Sequence, residues 1–187
     1  MTDWSPYEWQ SPQKLLDDVE VKRSELGRLI SKGPGRDFRE AFVASRFAAF
    51  RNATAVKLLQ PRHGLPTPDF AILPGPGEEL WFETTEIDRP DRRRGDEPPM
   101  PPTVFQDVPD EHWVSSEIYA QTVRARVGTK ALKKYDKCEG LIIWSNAAWV
   151  DDDDDLTDDW WKSVASAAAP KFSEVWVHTD GSFRRLF

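Results

Sequence analysis

Cysteine is almost absent from this sequence: one residue, Cys138, among 187. An intrachain disulfide framework and a cysteine-built zinc site are thereby excluded, and a reducing compartment is compatible with the chain. Long hydrophobic runs are missing as well. Segments such as Leu141-Ile142-Ile143-Trp144 fall far short of the ~20 residues that a membrane span needs. The opening stretch MTDWSPYEWQ has neither the basic nor the apolar region of a secretory signal. The three histidines, His63, His112 and His178, are scattered and none forms a pair with zinc-ligand spacing. No serine or cysteine nucleophile motif occurs, and no internal repeat is present. Positive charge is in deficit too. A formal balance of −7 argues against indiscriminate coating of nucleic acid, while a local basic cleft stays open.

What is present is apolar bulk. Hydrophobic residues make up 39% of the chain and tryptophan occurs nine times, so this is no disordered tail. The length fits one domain with a buried core.

Patterning gives the element order. Residues 1–12 are aromatic and proline-containing, without periodicity, and read as an arm on the surface. Leu15, Leu16, Val19, Leu26, Leu29 and Ile30 recur at helical spacing over 13–31, and Lys32-Gly33-Pro34-Gly35 breaks the helix. A second helix is expected over 37–51, capped by Asp37. It has one face of Phe38, Ala41, Phe42, Ser45 and Ala49 and another of Val43, Phe47 and Phe50, hence packing on two sides. Strands follow at 55–59, 67–73 and 79–86, the last two joined across Pro74-Gly75-Pro76-Gly77 as a hairpin. Residues 88–112 form a long polar connection with five prolines between 98 and 109, which suggests a functional flap or a disordered stretch. A helix over 113–137, a buried strand over 141–146, an acidic loop over 151–155, a helix over 157–169 and strands over 173–178 and 183–186 complete the chain. The expected class is α/β: a mixed central sheet flanked by helices on both faces, with an N-terminal helical arm. The arm and first helix would occupy 1–35 and the α/β body 36–187, within a single domain overall.

The chemistry is concentrated in Thr67-Pro68-Asp69-Phe70 and, separated from Asp69 by thirteen residues, Glu83-Thr84-Thr85. Two carboxylates on adjacent strands can bracket a Mg²⁺ ion, which favours carboxylate oxygens and keeps several waters. Such an ion activates water and neutralises developing charge in phosphodiester hydrolysis. Strand alternation puts Trp81, Glu83 and Thr85 on one side and Phe82, Thr84 and Glu86 on the other. Pro68-Asp69 and Glu83, with a preceding helix that carries Glu40 and a following helix and apolar strand, resemble the PD-(D/E)xK nuclease superfamily. The resemblance covers residues 36–146. It implies a restriction-endonuclease-like fold and a Mg²⁺- or Mn²⁺-dependent nuclease acting on DNA. It also implies metal ligation by Asp69, Glu83, the Thr84 carbonyl and Glu40, and a cytoplasmic setting.

The sequence departs from the family at one signature position. The lysine expected two residues after the acid is Thr85, which carries no positive charge. Lys130 lies within the stripe of Tyr119, Val123 and Val127 on the next helix and is a candidate for a migrated catalytic lysine. Lys134 is a second candidate for that role or for substrate binding, while Gln121 is less persuasive. Arg89, Arg92, Arg93 and Arg94 follow the third strand, and 117–137 holds six Lys/Arg against two acids. Together these form a candidate basic rim for the substrate backbone.

Each feature also has a structural account. Asp69 would cap a turn, Glu83 would pair with an arginine, Lys130 would lie along the helix with its amine in water, and Glu40 would favour the helix dipole. The four arginines would pair with Asp88, Asp91, Asp96 and Glu97. The run Asp151–Asp155 lacks the spacing and glycine of a calcium loop and reads as solvated. Trp81, Trp144 and Trp176 read as core. Trp4, Trp9, Trp160 and Trp161 read as surface residues suited to a partner chain. The alternative to the nuclease is therefore a catalytically degenerate nuclease-fold protein serving as a binding or assembly module, with a homodimer or a protein partner.

Overall fold

The computed structural model describes residues 4–26, 35–87, 115–145, 158–168, 171–179 and 182–186. It is an α/β structure with four helices and six strands. In chain order they are α1 (Pro12–Leu26), α2 (Gly35–Phe50), β1 (Ala55–Leu58), β2 (Phe70–Gly75), β3 (Glu78–Ile87), α3 (Ser116–Ala131), β4 (Gly140–Ser145), α4 (Asp158–Ala168), β5 (Glu174–Thr179) and β6 (Ser182–Arg185). The strands form one mixed sheet in the order β1 to β6. None of the helices is long and apolar enough to cross a membrane, among the described residues. The chain divides into two compact units, 1–84 with 134–139, and 85–133 with 140–187.

In the first unit, helix ends are set by local chemistry. Ser11 precedes α1, and its hydroxyl accepts from the Lys14 N–H at 3.2 Å. Pro12 takes the first helical position, where no N–H is needed. Helix α2 ends in a pair of reversed bonds, Ala53 N–H to Ala48 O and Asn52 N–H to Ala49 O. Asn52 there adopts a left-handed φ of 52°, completing a Schellman turn without glycine. Asp37 lies inside the first turn of α2 rather than capping it, and accepts from the Tyr7 hydroxyl at 2.6 Å.

The expectation of two-sided packing for α2 holds in part. Phe38, Ala41, Val43, Ala44, Phe47 and Ala48 are buried, whereas Phe50 is 47% exposed. Helix α2 packs against α1 and against β1 and β2. At the contact with the hairpin, Phe70 and Phe82 stack at 5.5 Å, and Phe47 meets their edges at 6.2 and 4.9 Å. Offset and edge-on pairs of this kind add to the burial of the rings themselves.

Strands β2 and β3 pair antiparallel, with Phe70 opposite Phe82 and Ile72 opposite Leu80. The register slips between Ile72 and Gly75. Pro74 falls in that interval and has no N–H for the ladder, so a bulge is the natural accommodation. The turn is shorter than expected, and Gly77 adopts φ +81° within it. Strand β2 begins at Phe70, so Thr67, Pro68 and Asp69 precede it. The arm is not loose. Gln10 exchanges backbone bonds with Val56 at 3.1 and 2.8 Å, and Leu58 N–H donates to the Pro6 carbonyl at 2.7 Å.

In the second unit, β4 pairs parallel with β5, Gly140 opposite Glu174, and β5 pairs antiparallel with β6. The parallel crossover runs through α4, as expected of a strand–helix–strand unit. Gly140 to Ile143 are buried without alternation, the mark of a strand covered on both faces. Helix α4 turns Trp161, Val164, Ala165 and Ala168 inward at helical spacing. Trp161 is thus core, not the surface residue expected. Helix α3 starts on Ser115, whose hydroxyl accepts from Ile118 N–H, and stops at Ala131 rather than near 137.

Candidate functional site

The site is built where β2 and β3 begin to pair, in the first unit. Asp69 sits one residue before β2. Its N–H donates to the Phe82 carbonyl at 2.9 Å and its carbonyl accepts from Leu59 N–H at 3.0 Å. Its side chain turns to β3, where Oδ2 accepts both the Thr84 N–H at 2.8 Å and the Thr84 hydroxyl at 2.7 Å. A carboxylate here takes the place of a backbone carbonyl, because β2 has not yet begun. Charge-assisted bonds of this kind are among the stronger ones a protein makes. They fix the Asp69 carboxylate against β3 one residue beyond Glu83.

Both acids are removed from solvent: Asp69 is 4% exposed and Glu83 1%. They share a neighbour that the sequence reading did not select. Tyr135 is buried as well, and the negative charges of Glu83 and, less strongly, of Asp69 act on its phenol. Burial, then the negative charge of Glu83, push the Tyr135 phenol far above its usual value of about 10.

Tyr135 belongs to the segment 132–139 between α3 and β4, which the sequence reading placed inside a longer helix. The segment is tied to β3 by reciprocal bonds. Glu139 N–H donates to the Trp81 carbonyl at 2.9 Å, and Trp81 N–H donates to Glu139 Oε2 at 2.6 Å. Lys137 Nζ donates to the Glu79 carbonyl. Trp81 is half-buried, not core, with Arg62 and Lys137 over its ring at 5.7 and 5.4 Å. A tyrosine flanked by lysines in Lys133-Lys134-Tyr135-Asp136-Lys137 was the available signal. An aromatic inside so polar a run asks for a burial site.

The remaining candidates are distributed as follows. Glu40 lies half-buried on α2. Among the described residues, no three His, Cys, Asp or Glu side chains form a metal-sized group, so Glu40 does not join Asp69 and Glu83 as a third acid. Thr85, at the motif's lysine position, is 3% exposed. Lys130 is half-buried on the last turn of α3, in the second unit, on the helix that buries Tyr119, Val123 and Val127. Lys134 is exposed beside Tyr135. Gln121 is exposed and donates to Glu117 at 3.1 Å. Arg89, Arg92, Arg93 and Arg94, the 88–112 connection and Asp151–Asp155 lie outside the described residues.

The donor chemistry suits a hard cation. Two carboxylates and the main-chain carbonyl of Thr84 are oxygen ligands of the kind Mg²⁺ and Mn²⁺ accept. Each buried carboxylate calls for hydrogen bonds or a counter-charge, and a divalent ion is one source of such a charge. No protein-family model matches the sequence, and no curated protein or solved structure matches it.

Proposed function

We propose that the chain is a divalent-cation-dependent nuclease of the PD-(D/E)xK type that hydrolyses phosphodiester bonds of DNA. The observation that carries this reading is the burial of two carboxylates, Asp69 and Glu83, where β2 and β3 begin to pair, with Asp69 held to β3 through Thr84. The order helix, three strands, helix, strand, from α2 to β4, supports it as well. In this reading Asp69 and Glu83 hold Mg²⁺ or Mn²⁺ with help from the Thr84 carbonyl. The bound ion supplies an activated water and neutralisation of charge on the phosphate. Thr84 orients Asp69 through its N–H and hydroxyl. Lys130 takes the part of the absent motif lysine, Lys134 and the arginines at 89 and 92–94 engage the substrate backbone, and the setting is cytoplasmic.

A second reading is favoured by the near-complete burial of both carboxylates and of Thr85. Acids so enclosed suit a fold that has lost catalysis and serves as a binding or assembly module, with a second copy or another protein as its partner.

Cleavage of supercoiled plasmid and of single-stranded DNA in Mg²⁺ and Mn²⁺, with calorimetric Mn²⁺ titration, separates the two. The nuclease reading expects Asp69→Ala and Glu83→Ala to lose cleavage by ~10²-fold or more and to lose Mn²⁺ binding. An Asp69→Ala protein that binds Mn²⁺ as the parent does sinks the assignment. Lys130→Ala that folds and cleaves as the parent does removes the migrated lysine alone.

A further inference from the structure

We infer that Trp81, with Trp9 beyond it, is a stacking surface for unpaired bases, and that it gives the site single-stranded DNA as its substrate. The inference rests on the nuclease reading above and names the form of DNA which that reading leaves open.

Placement comes first. Trp81 and Glu83 are two residues apart on β3, so they project from the same face of the sheet, about 7 Å apart along the strand. Lys57 on β1 shares that face, being opposite Ala71, which is itself opposite Trp81. The other face is taken by Phe82 and Phe70 against Phe47 of α2. Orientation comes second. Glu139 holds the Trp81 backbone at 2.9 and 2.6 Å, and the indole Nε1–H donates to Glu79 Oε1 at 2.8 Å. With its polar edge so engaged, the indole has its flat faces to offer a ligand. The same Glu79 oxygen lies 3.5 Å from Lys57 Nζ, and that amine lies over the Trp9 ring at 4.3 Å. One ion pair thus links the two tryptophans, and Trp9 is 38% exposed.

Charge comes third. Arg62 and Lys137 lie over the Trp81 ring at 5.7 and 5.4 Å. Arg62 is paired with Asp136 at 3.7 Å and Lys137 with Glu139 at 3.8 Å. Ion pairs this open to water are weak, so both cations can leave the ring for a phosphate when a base takes their place. Lys57, Arg62 and Lys137 are matched by Glu79, Asp136 and Glu139. The patch therefore draws its affinity from the rings rather than from net charge. A base inside a duplex is stacked on its neighbours and shows no face to a ring, whereas an unpaired base does.

The test uses the full chain with a labelled oligothymidylate and its duplex with oligoadenylate, read by fluorescence anisotropy in EDTA so that no strand is cut. The parent should bind the single strand at least about 10-fold tighter than the duplex. Trp81→Leu should weaken single-strand binding about 5- to 150-fold, the cost of a lost base–aromatic stack. Trp81→Phe, which keeps a flat face, should restore most of that loss, and Trp9→Leu should weaken binding in the same direction. Arg62→Ala should reduce the salt dependence by about one phosphate contact. Equal or tighter binding of the duplex by the parent overturns the inference, whether or not any variant folds. So does parental single-strand affinity in a folded Trp81→Leu protein; with cleavage lost in Asp69→Ala, the nuclease reading then stands without it. Single-strand preference and loss in Trp81→Leu, in a parent that binds no Mn²⁺, keep the stacking surface and remove the nuclease.

Discussion

Tyr119 and Tyr135 are the same side chain in two different interiors. Tyr119 lies on α3 in the second unit, and Ser145 ends β4. Burial raises the Tyr119 phenol, and Ser145 acts against that shift. Tyr135 lies in the first unit, where the Glu83 charge acts in the same direction as burial. In the second unit only a neutral side chain, Ser145, offsets the burial of the tyrosine, and the buried His178 is steadied between rings, flat on Trp144 at 3.9 Å and edge-on to Phe183 at 4.7 Å. The first unit surrounds its tyrosine with carboxylates. An interior built only for stability has little use for two acids, since apolar replacements of buried charge are commonly neutral or stabilising. Under the proposed function, that contrast assigns the carboxylate pair to the first unit.

The comparison can be broken most forcefully at Phe47. Its ring is the wedge between α2 and the β2–β3 hairpin, and Phe47→Ala should cost about 3–5 kcal/mol in denaturant unfolding. Mn²⁺ binding should weaken with it, because the hairpin that aligns Asp69 and Glu83 loses its backing. Intact Mn²⁺ affinity in a destabilised Phe47→Ala protein would mean that the carboxylates are aligned without the aromatic wedge.

Alkaline pH sharpens the comparison. Both tyrosines are raised, so the folded chain keeps protons that the unfolded chain releases. By linkage, their contribution is fully present below about pH 10 and is lost as pH rises above it. Urea midpoints measured from pH 8 to 11 should therefore fall at the alkaline end, and Tyr119→Phe and Tyr135→Phe should each flatten the fall. Superposable profiles for parent and variants would mean that neither phenol is shielded. The smallest effect is expected at Tyr119 at neutral pH. Tyr119→Phe should change stability by no more than about 1.5 kcal/mol, the upper end of what one hydroxyl usually contributes, with Mn²⁺ binding unchanged. A loss of binding there would place function in both interiors.

Much of this was legible in the sequence. Helical spacing located α1, α2, α3 and α4, and β-rich runs between turn residues located the strands, since local periodicity reports which face is buried. Errors arose where a distant partner decides. Asp37 has the chemistry of a cap, yet Tyr7, thirty residues away, claims its carboxylate. Charged residues after Ala131 continue a plausible helix, yet Glu139 is bonded to Trp81 across a separation of 58 residues, and the chain leaves the helix to reach it. Tyr135 was missed for the same reason. Trp161 was misassigned because two adjacent tryptophans look alike in sequence, while the helix turns Trp161 inward and leaves Trp160 half-buried. The hairpin that joins β2 and β3 was readable from its turn residues, and the bonds from Thr84 to Asp69 follow from that pairing.

The short exchange of bonds between Gln10 and Val56, with Leu58 bonded to Pro6, has a consequence for how the chain behaves among its own copies. It covers the outward-facing amides and carbonyls of β1, a strand with nothing of the sheet beyond it. A chain begun at Pro12 would present that row to any passing extended segment, and bare strand edges are where proteins stick to one another. The aromatic arm thus acts as a guard of that edge, separate in role from the buried acids, and trimming it to obtain a minimal domain would open the edge to self-association.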